Sequence, residues 1–334
     1  MVRYPLAWLF VLLLCTCVRA QKSNWDSIRF FRLDSLITEN GWQDSLSGKR
    51  VDTLERLLDR LPGPRYRATY ALRRGVQLRR AGSSVAGREY LEAAIAGFRT
   101  VADSANIAKA TYNLARTYLA EGNYERAFAL YEDALYRYRN LGDVRMEINA
   151  LESLGVTLRR TEQPDRALEY YEKAYDRARA LEDRDLTVGA LINRAIVHKR
   201  KNEFSRAIDL YLEGLTLVSR PPADPRQTAY LNLNLSSCYS AMNRYEAALD
   251  YAERAYAWFV HSGSARERSM NLVGLAVNYN KVGQQELTVE TAREALRIVG
   301  DETGLSATIH ETMADAFTAM NRADSAFHHL KTAT

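Results

Sequence analysis

One pattern returns about every 40 residues along most of this chain, and it constrains the fold more than any other feature. Its first element is a small residue, found at Gly75, Ala115, Gly155, Ala195, Ser236, Ala276 and Ala314, with spacings of 40, 40, 40, 41, 40 and 38. Three residues on stands a large one: Leu78, Tyr118, Leu158, His198, Tyr239, Tyr279 and Phe317. Residues three apart share a face of a helix, so the small position admits a neighbouring helix and the large one fills the remaining gap. A fixed period of this size describes stacked supersecondary units, because a chain closed around one globular core has no reason to repeat.

Four residues beyond the large position come Gly82, Gly122, Glu162, Asn202, Asn243, Gly283 and Asn321. Most of these residue types tolerate the left-handed conformation that ends a helix, so each is predicted to be a turn. A second periodic segment follows, with Gly87, Ala127, Ala167, Ala207, Ala248, Thr288 and Ala326 at one position. Seven residues further stand Ala94, Ala134, Ala174, Gly214, Ala255, Ala295 and Ala333, on the same helical face. Each unit therefore reads as a helical hairpin that needs its neighbour to bury its apolar stripe, and the fold class is all-α.

Small residues, an aromatic and alanines at these relative positions resemble the tetratricopeptide repeat. The resemblance covers residues 65–334 in about seven units and implies an α-solenoid, a right-handed superhelix of antiparallel hairpins. The usual unit has about 34 residues. The longer unit here resembles the variants of kinesin light chains and of bacterial peptide-sensing regulators, and the chain as a whole resembles an exported bacterial type. In the first unit Arg74 stands where the next two have Leu114 and Leu154, so that unit either packs loosely or faces a different neighbour.

Ahead of the array, Arg3, the apolar run Leu6 to Leu14 and Val18-Arg19-Ala20 read as a secretory signal peptide (1–20) cleaved after Ala20. The apolar run is too short for a stable membrane span, so a periplasmic or extracellular chain is expected. The competing reading is a lipid anchor at Cys17, to which Leu14-Cys15-Thr16-Cys17 is a loose match. Loss of residues 1–20 removes Arg3 and Arg19 and leaves 44 basic against 41 acidic residues, a net charge of +3 that argues for no partner class by itself. It also leaves Cys238 as the one cysteine, expected as a buried structural thiol. Residues 21–64 read as a helical N-terminal cap, with helices around Trp25 to Ile37 and Val51 to Leu61 and a break at Pro62-Gly63-Pro64. Pro221, Pro222 and Pro225 mark either a tight link or a flexure between the fourth and fifth hairpins.

No catalytic, cofactor or metal signature stands in the chain. His310-Glu311 begins like a zincin helix, but Ala314 occupies the place of the second histidine. His328 and His329 are adjacent and point to different faces, while His198 is expected as a core histidine with its hydrogen bonds met. The Gly82 to Gly87 stretch lacks both the lysine of a phosphate loop and the spacing of a nucleophile elbow. Nucleic-acid binding is not expected of an exported protein, and the function class is non-enzymatic binding.

In tetratricopeptide arrays the first helix of each hairpin lines a concave groove, and the resemblance assigns six register positions to it. On this chain they give a basic half: Arg73, Arg79, Arg80, Lys109, Arg116, Arg159, Arg160, Lys199 and Arg200, against the single acid Glu152. Towards the C-terminal end the same positions carry Tyr230, Met270, Val273, Asn280, Lys281, Glu311 and Asp315. Tyr112 also falls in the register, as does a column of Asn113, Asn193 and Asn234. That column either pairs with the backbone of an extended peptide or bonds within its own hairpin. Helix C-termini favour several of these cations by about 0.3–1 kcal/mol each, which leaves Arg73, Lys109 and Arg116 to be explained. The carboxylate clamp of chaperone-binding arrays is absent, because Tyr112, Arg116, Ser153, Ile192 and Ile196 hold its positions. The expected partner is a protein or peptide segment, acidic in character. The alternative is that the chain is the exported sensor portion of a regulator whose membrane helix and output domain lie beyond Thr334.

Overall fold

The computed structural model describes residues 26–34, 47–61, 63–299 and 304–333. The signal peptide, Cys17 and parts of the expected cap lie outside the described residues. Among the described residues every regular element is a helix, and none is long and apolar enough to cross a membrane. The chain divides into two compact units, Met1–Gln163 and Pro164–Thr334.

In the first unit a helix over 26–34 (α1) precedes α2 (Ser47–Leu58), α3 (Pro64–Arg80), α4 (Ser84–Thr100), α5 (Ser104–Ala120), α6 (Tyr124–Leu141) and α7 (Val144–Arg160). From α2 onward each helix packs on the next. The described part of the expected cap includes α1 and α2, whose Phe30, Val51, Leu54 and Leu57 form one buried cluster with Leu61, also of the cap, and Tyr70 of the array. Phe30 also meets Tyr66 edge to face at 5.1 Å. Arg74 points at α2, where its Nη1 donates to Asp52 Oδ1 at 3.1 Å, and it also donates to Gln77 Oε1 of its own helix at 2.8 Å. The departure from leucine is thus a change of neighbour, from a hydrocarbon surface to a carboxylate.

The second unit runs through α8 (Pro164–Ala180), α9 (Arg184–Arg200), α10 (Phe204–Val218), α11 (Pro225–Ala241), α12 (Tyr245–Ser262), α13 (Ala265–Lys281), α14 (Gln285–Val299), α15 (Gly304–Ala319) and α16 (Ala323–Ala333). Consecutive helices again pack pairwise. Its interior is made of the alanine columns with Tyr211, Leu231, Leu235, Leu272, Ile309 and Phe317 between them. The proline link is held in place: Arg184 Nη1 donates to the carbonyls of Arg220 and Pro222 at 3.1 and 2.6 Å, and Asp224 N–H donates to Val218 O at 3.2 Å.

The small residues are where the helices meet. Ala115, Ala195, Ala127, Ala167, Ala207, Ala134 and Ala174 are all fully buried. Each predicted turn residue has a left-handed backbone, from Glu162 at φ 56° to Gly82 at φ 84°. The carbonyl of the large residue then closes the helix: Leu78, Tyr118, Leu158, His198, Tyr239, Tyr279 and Phe317 each accept the N–H five positions on. This is the 6→1 bond of a Schellman motif, so the residue that fills the hairpin also ends its first helix. At the start of the next hairpin the carboxylates of Asp103, Asp143, Asp183 and Asp224 accept from the N–H groups of Asn106, Met146, Leu186 and Gln227. These N-caps satisfy donors that a helix leaves orphaned at its start.

Candidate functional site

On the first unit the first helices are α3, α5 and α7, and the structure places the predicted site residues on them unequally. Arg73 is buried, and its Nε is ion-paired with Asp34 Oδ1 of α1. Lys109 sits half-buried beside that pair; burial and Arg73 pull its ammonium below the usual range, against the opposing pull of Asp34 and Asp143. Two of the predicted groove cations are therefore drawn into the body of the unit. Asp34 belongs to α1, outside the repeat register, so the repeat pattern by itself does not show this neutralisation.

Arg116 is exposed, one turn before the end of its helix. Arg79 is half-buried on α3, and its Nε and Nη2 are enclosed with no hydrogen-bond acceptor. Burial, then the charges of Arg116 and Arg80, lower its pKa to about 10, so the guanidinium remains charged at neutral pH. Burial and Arg116 act on Arg80 in the same direction. On α7, Arg159 has an enclosed Nε without an acceptor, while Arg160 is exposed. Among the described residues, Arg79, Arg116, Arg159 and Arg160 enter no ion pair.

Between these arginines the unit is floored by tyrosines. Tyr112 OH lies 3.0 Å from Ser153 Oγ, which itself donates to Asn149 O at 2.8 Å, so α5 and α7 are tied side chain to side chain. The ring of Tyr112 meets Tyr131 edge to face at 5.4 Å and Tyr138 at 6.3 Å. Tyr131 is buried beside Tyr112, and burial raises its pKa well above the usual phenol value, so it stays neutral. Tyr131 begins a second 40-residue column, Tyr131, Tyr171, Tyr211 and Tyr251. That column is visible in the sequence; its role beneath the first-helix face is not.

Two members of the asparagine column, Asn113 and Asn234, bond within the array. Asn113 Nδ2 donates to Lys109 O at 2.8 Å, and Asn234 Nδ2 donates to Tyr230 O at 2.9 Å while its Oδ1 accepts from Tyr211 OH at 3.4 Å. Each amide keeps one further N–H. Asn193 is half-buried on α9. In the second unit Lys199 Nζ reaches Ser237 Oγ at 3.5 Å, Arg200 is exposed, and Tyr230 packs edge to face on Phe259 at 5.5 Å. A cleft beside α8, α9 and α10 is lined by Arg179, Arg184 and Arg220 together with Glu182 and Glu213.

His198 is half-buried near the end of α9 and not in the core, with Nδ1 2.7 Å from Glu203 Oε2. Cys238 is buried on α11, and burial pushes its thiol pKa up, which disfavours the reactive thiolate.

Two family models match the chain, both described as tetratricopeptide repeat: one over residues 66–140 and 146–220, the other over 229–258. Together they take in more than half of it. No curated protein matches significantly in sequence. Among solved structures, the quorum sensor NprR from B. thuringiensis, in its apo form, is similar with a TM-score of 0.71 and 15% identity, over 92% of this chain and 86% of that one. A Rap protein complexed with competence and sporulation factor gives 0.60 and 14%, over 91% and 85%. BtubC (BKLC) from P. vanneervenii gives 0.57 and 22%, over 70% and 92%. At these identities the likeness is one of fold.

Proposed function

The chain belongs to the tetratricopeptide-repeat family, and from that premise we propose that it is a non-enzymatic scaffold of the cell envelope whose first-helix face on unit 1 holds an acidic segment of a protein or peptide. One observation carries the reading: Arg79, Arg116, Arg159 and Arg160 stand on first helices with no carboxylate matched to them among the described residues. Unmatched cations on one face attract a segment of opposite charge and orient it. The unit length of about 40 residues and the leader-like N-terminus support a long-repeat, exported variant of the family. The matching models describe repeats and not a catalytic domain, which fits a binding role.

The test is capture of acidic partners by the Arg116→Glu, Arg160→Glu double variant. Both side chains are exposed, so the fold should survive the exchange. Acidic proteins retained by the natural chain are expected to be lost from the variant, and undiminished capture refutes the reading. A second reading, the sensor portion of a longer regulator, draws support from the likeness to NprR, described as a quorum sensor. Coding sequence downstream of codon 334 separates the two: a membrane helix and output domain there would establish the sensor reading.

A further inference from the structure

We propose that the outer face of α16 is a self-association surface, on which a second copy of this chain lays its own α16 antiparallel and closes a two-fold dimer.

The register shows what this face is built to meet. Phe327 follows Ala326 by one residue, as Ile208, Leu249 and Val289 follow Ala207, Ala248 and Thr288 on the three preceding second helices. Leu330 follows Ala326 by four, as Tyr131, Tyr171 and Tyr211 follow Ala127, Ala167 and Ala207. Inside the array these positions pack on the first helix of the next hairpin. Ile208 and Tyr211 share a buried cluster with Leu231 and Leu235 of α11, and Val289 shares one with Ile309 and Met313 of α15. On α16 no described helix takes that place. Phe327 is 70% exposed and Leu330 54%, whereas Ile208, Leu249 and Val289 are at most 9% exposed and the three tyrosines at most 1%.

Ala323, Ala326, Phe327 and Leu330 recur at three- and four-residue spacing, so small and large side chains alternate along one stripe. Terminal units of a repeat array ordinarily turn a polar face to water. This one turns out the same kind of interlocking surface that stacks the inner hairpins, and a contiguous apolar stripe in water marks an interaction site.

Charge selects the occupant and its direction. Asp324 near the start of α16 and Lys331 near its end are seven residues apart, so they share one rim of the stripe, beside Phe327. An antiparallel copy, centred between Phe327 and Leu330, brings each Asp324 within two residues, about 3 Å along the axis, of the other copy's Lys331. Parallel pairing would set acid beside acid and base beside base. Antiparallel helices also align their dipoles favourably. The exposed pair Ile28 and Phe31 on α1 is flanked by Arg29 and Arg32, two cations that meet only one acid on the α16 rim. A contact of α16 with α16 is isologous and closes at two copies, whereas α16 on α1 would extend into an open chain.

Sedimentation equilibrium of the full chain over a range of concentrations tests this. The expected result is a monomer–dimer equilibrium with no larger species. Phe327→Asp, on an exposed side chain, should raise the dimer dissociation constant about tenfold or more, because a charge would have to be buried, while the helical circular dichroism stays unchanged. Lys331→Asp should weaken the dimer about tenfold by setting acid against acid, and adding Asp324→Lys should restore it, since opposite signs again face each other. Phe31→Ser should leave the dimer intact. A monomer at every concentration, a dimer untouched by Phe327→Asp, growth beyond two copies, or loss of association in Phe31→Ser overturns the proposal. Failure of the double exchange to restore the dimer overturns the antiparallel pairing.

Discussion

At Gly75 a methyl group would lie 2.7 Å from Leu91 Cγ and 2.9 Å from the carbonyl oxygen of Gly87, where the α3 and α4 backbones approach most closely. Gly274 occupies the interior of the equivalent helix α13 with nothing within 4 Å of its would-be Cβ. One substitution should therefore act in opposite directions at the two sites. Alanine is the better helix former by about 1 kcal/mol, so Gly274→Ala is expected to raise stability by roughly that amount. At Gly75 the carbonyl cannot move without shifting a helix, and overpacking costs of about 1–3 kcal/mol exceed the gain. Urea denaturation of the two variants checks this; a stabilised Gly75→Ala would show that the hairpin is looser than its backbone contact implies. Single residues were legible in the sequence to the extent that their role was packing. Ala115, Gly155, Ala195 and Cys238 are buried as their helical register implies, because periodicity and side-chain volume are local properties.

Element ends were nearly as legible. The left-handed turn residues follow from the Gly and Asn column, and the Asp column at 103, 143, 183 and 224 was there to be read as N-caps once helix starts were known. The α15–α16 hairpin held a contact the sequence did not show: His310 Nδ1 lies 2.9 Å from His329 Nδ1, and His329 stacks on Phe317 at 5.4 Å. Burial, then His310 and His328, then Arg293 of α14, hold the His329 pKa below the ordinary histidine value. Since its folded pKa is below the unfolded value of about 6.5, the unfolded chain binds the proton more readily. Stability from this contact is then full above pH ~6.5 and falls as pH drops through that value towards the folded pKa. Hydrogen exchange of residues 304–333, corrected for intrinsic rates, should show less protection at pH 5.5 than at pH 7.5. Equal protection would mean that the histidine contact does not hold α16.

For the whole molecule the relevant quantity is the arrangement of charge. A formal net charge of +5 over 334 residues is small, yet on unit 1 four arginines without a carboxylate partner, Arg79, Arg116, Arg159 and Arg160, stand on first helices. Contacts to exposed cations such as Arg116 and Arg160 are screened once the Debye length shrinks from about 10 Å at 0.1 M salt to about 3 Å at 1 M. Affinity for an acidic segment should accordingly fall by about tenfold or more over that range, read by anisotropy, while an apolar mode of binding would hold or strengthen. The sequence by itself determined the all-α class, the hairpin period, the turns and the small-residue seams, since each depends on residues within a few helical turns of one another. Only the tertiary structure decided which charges remain available. Asp34 reaches Arg73 and Asp52 reaches Arg74 across 39 and 22 residues of chain, while the Asn113 amide turns back to the Lys109 carbonyl. A repeat specifies which residues share a face, but a charge is met or left open by whatever the stacking of other helices brings within hydrogen-bond reach.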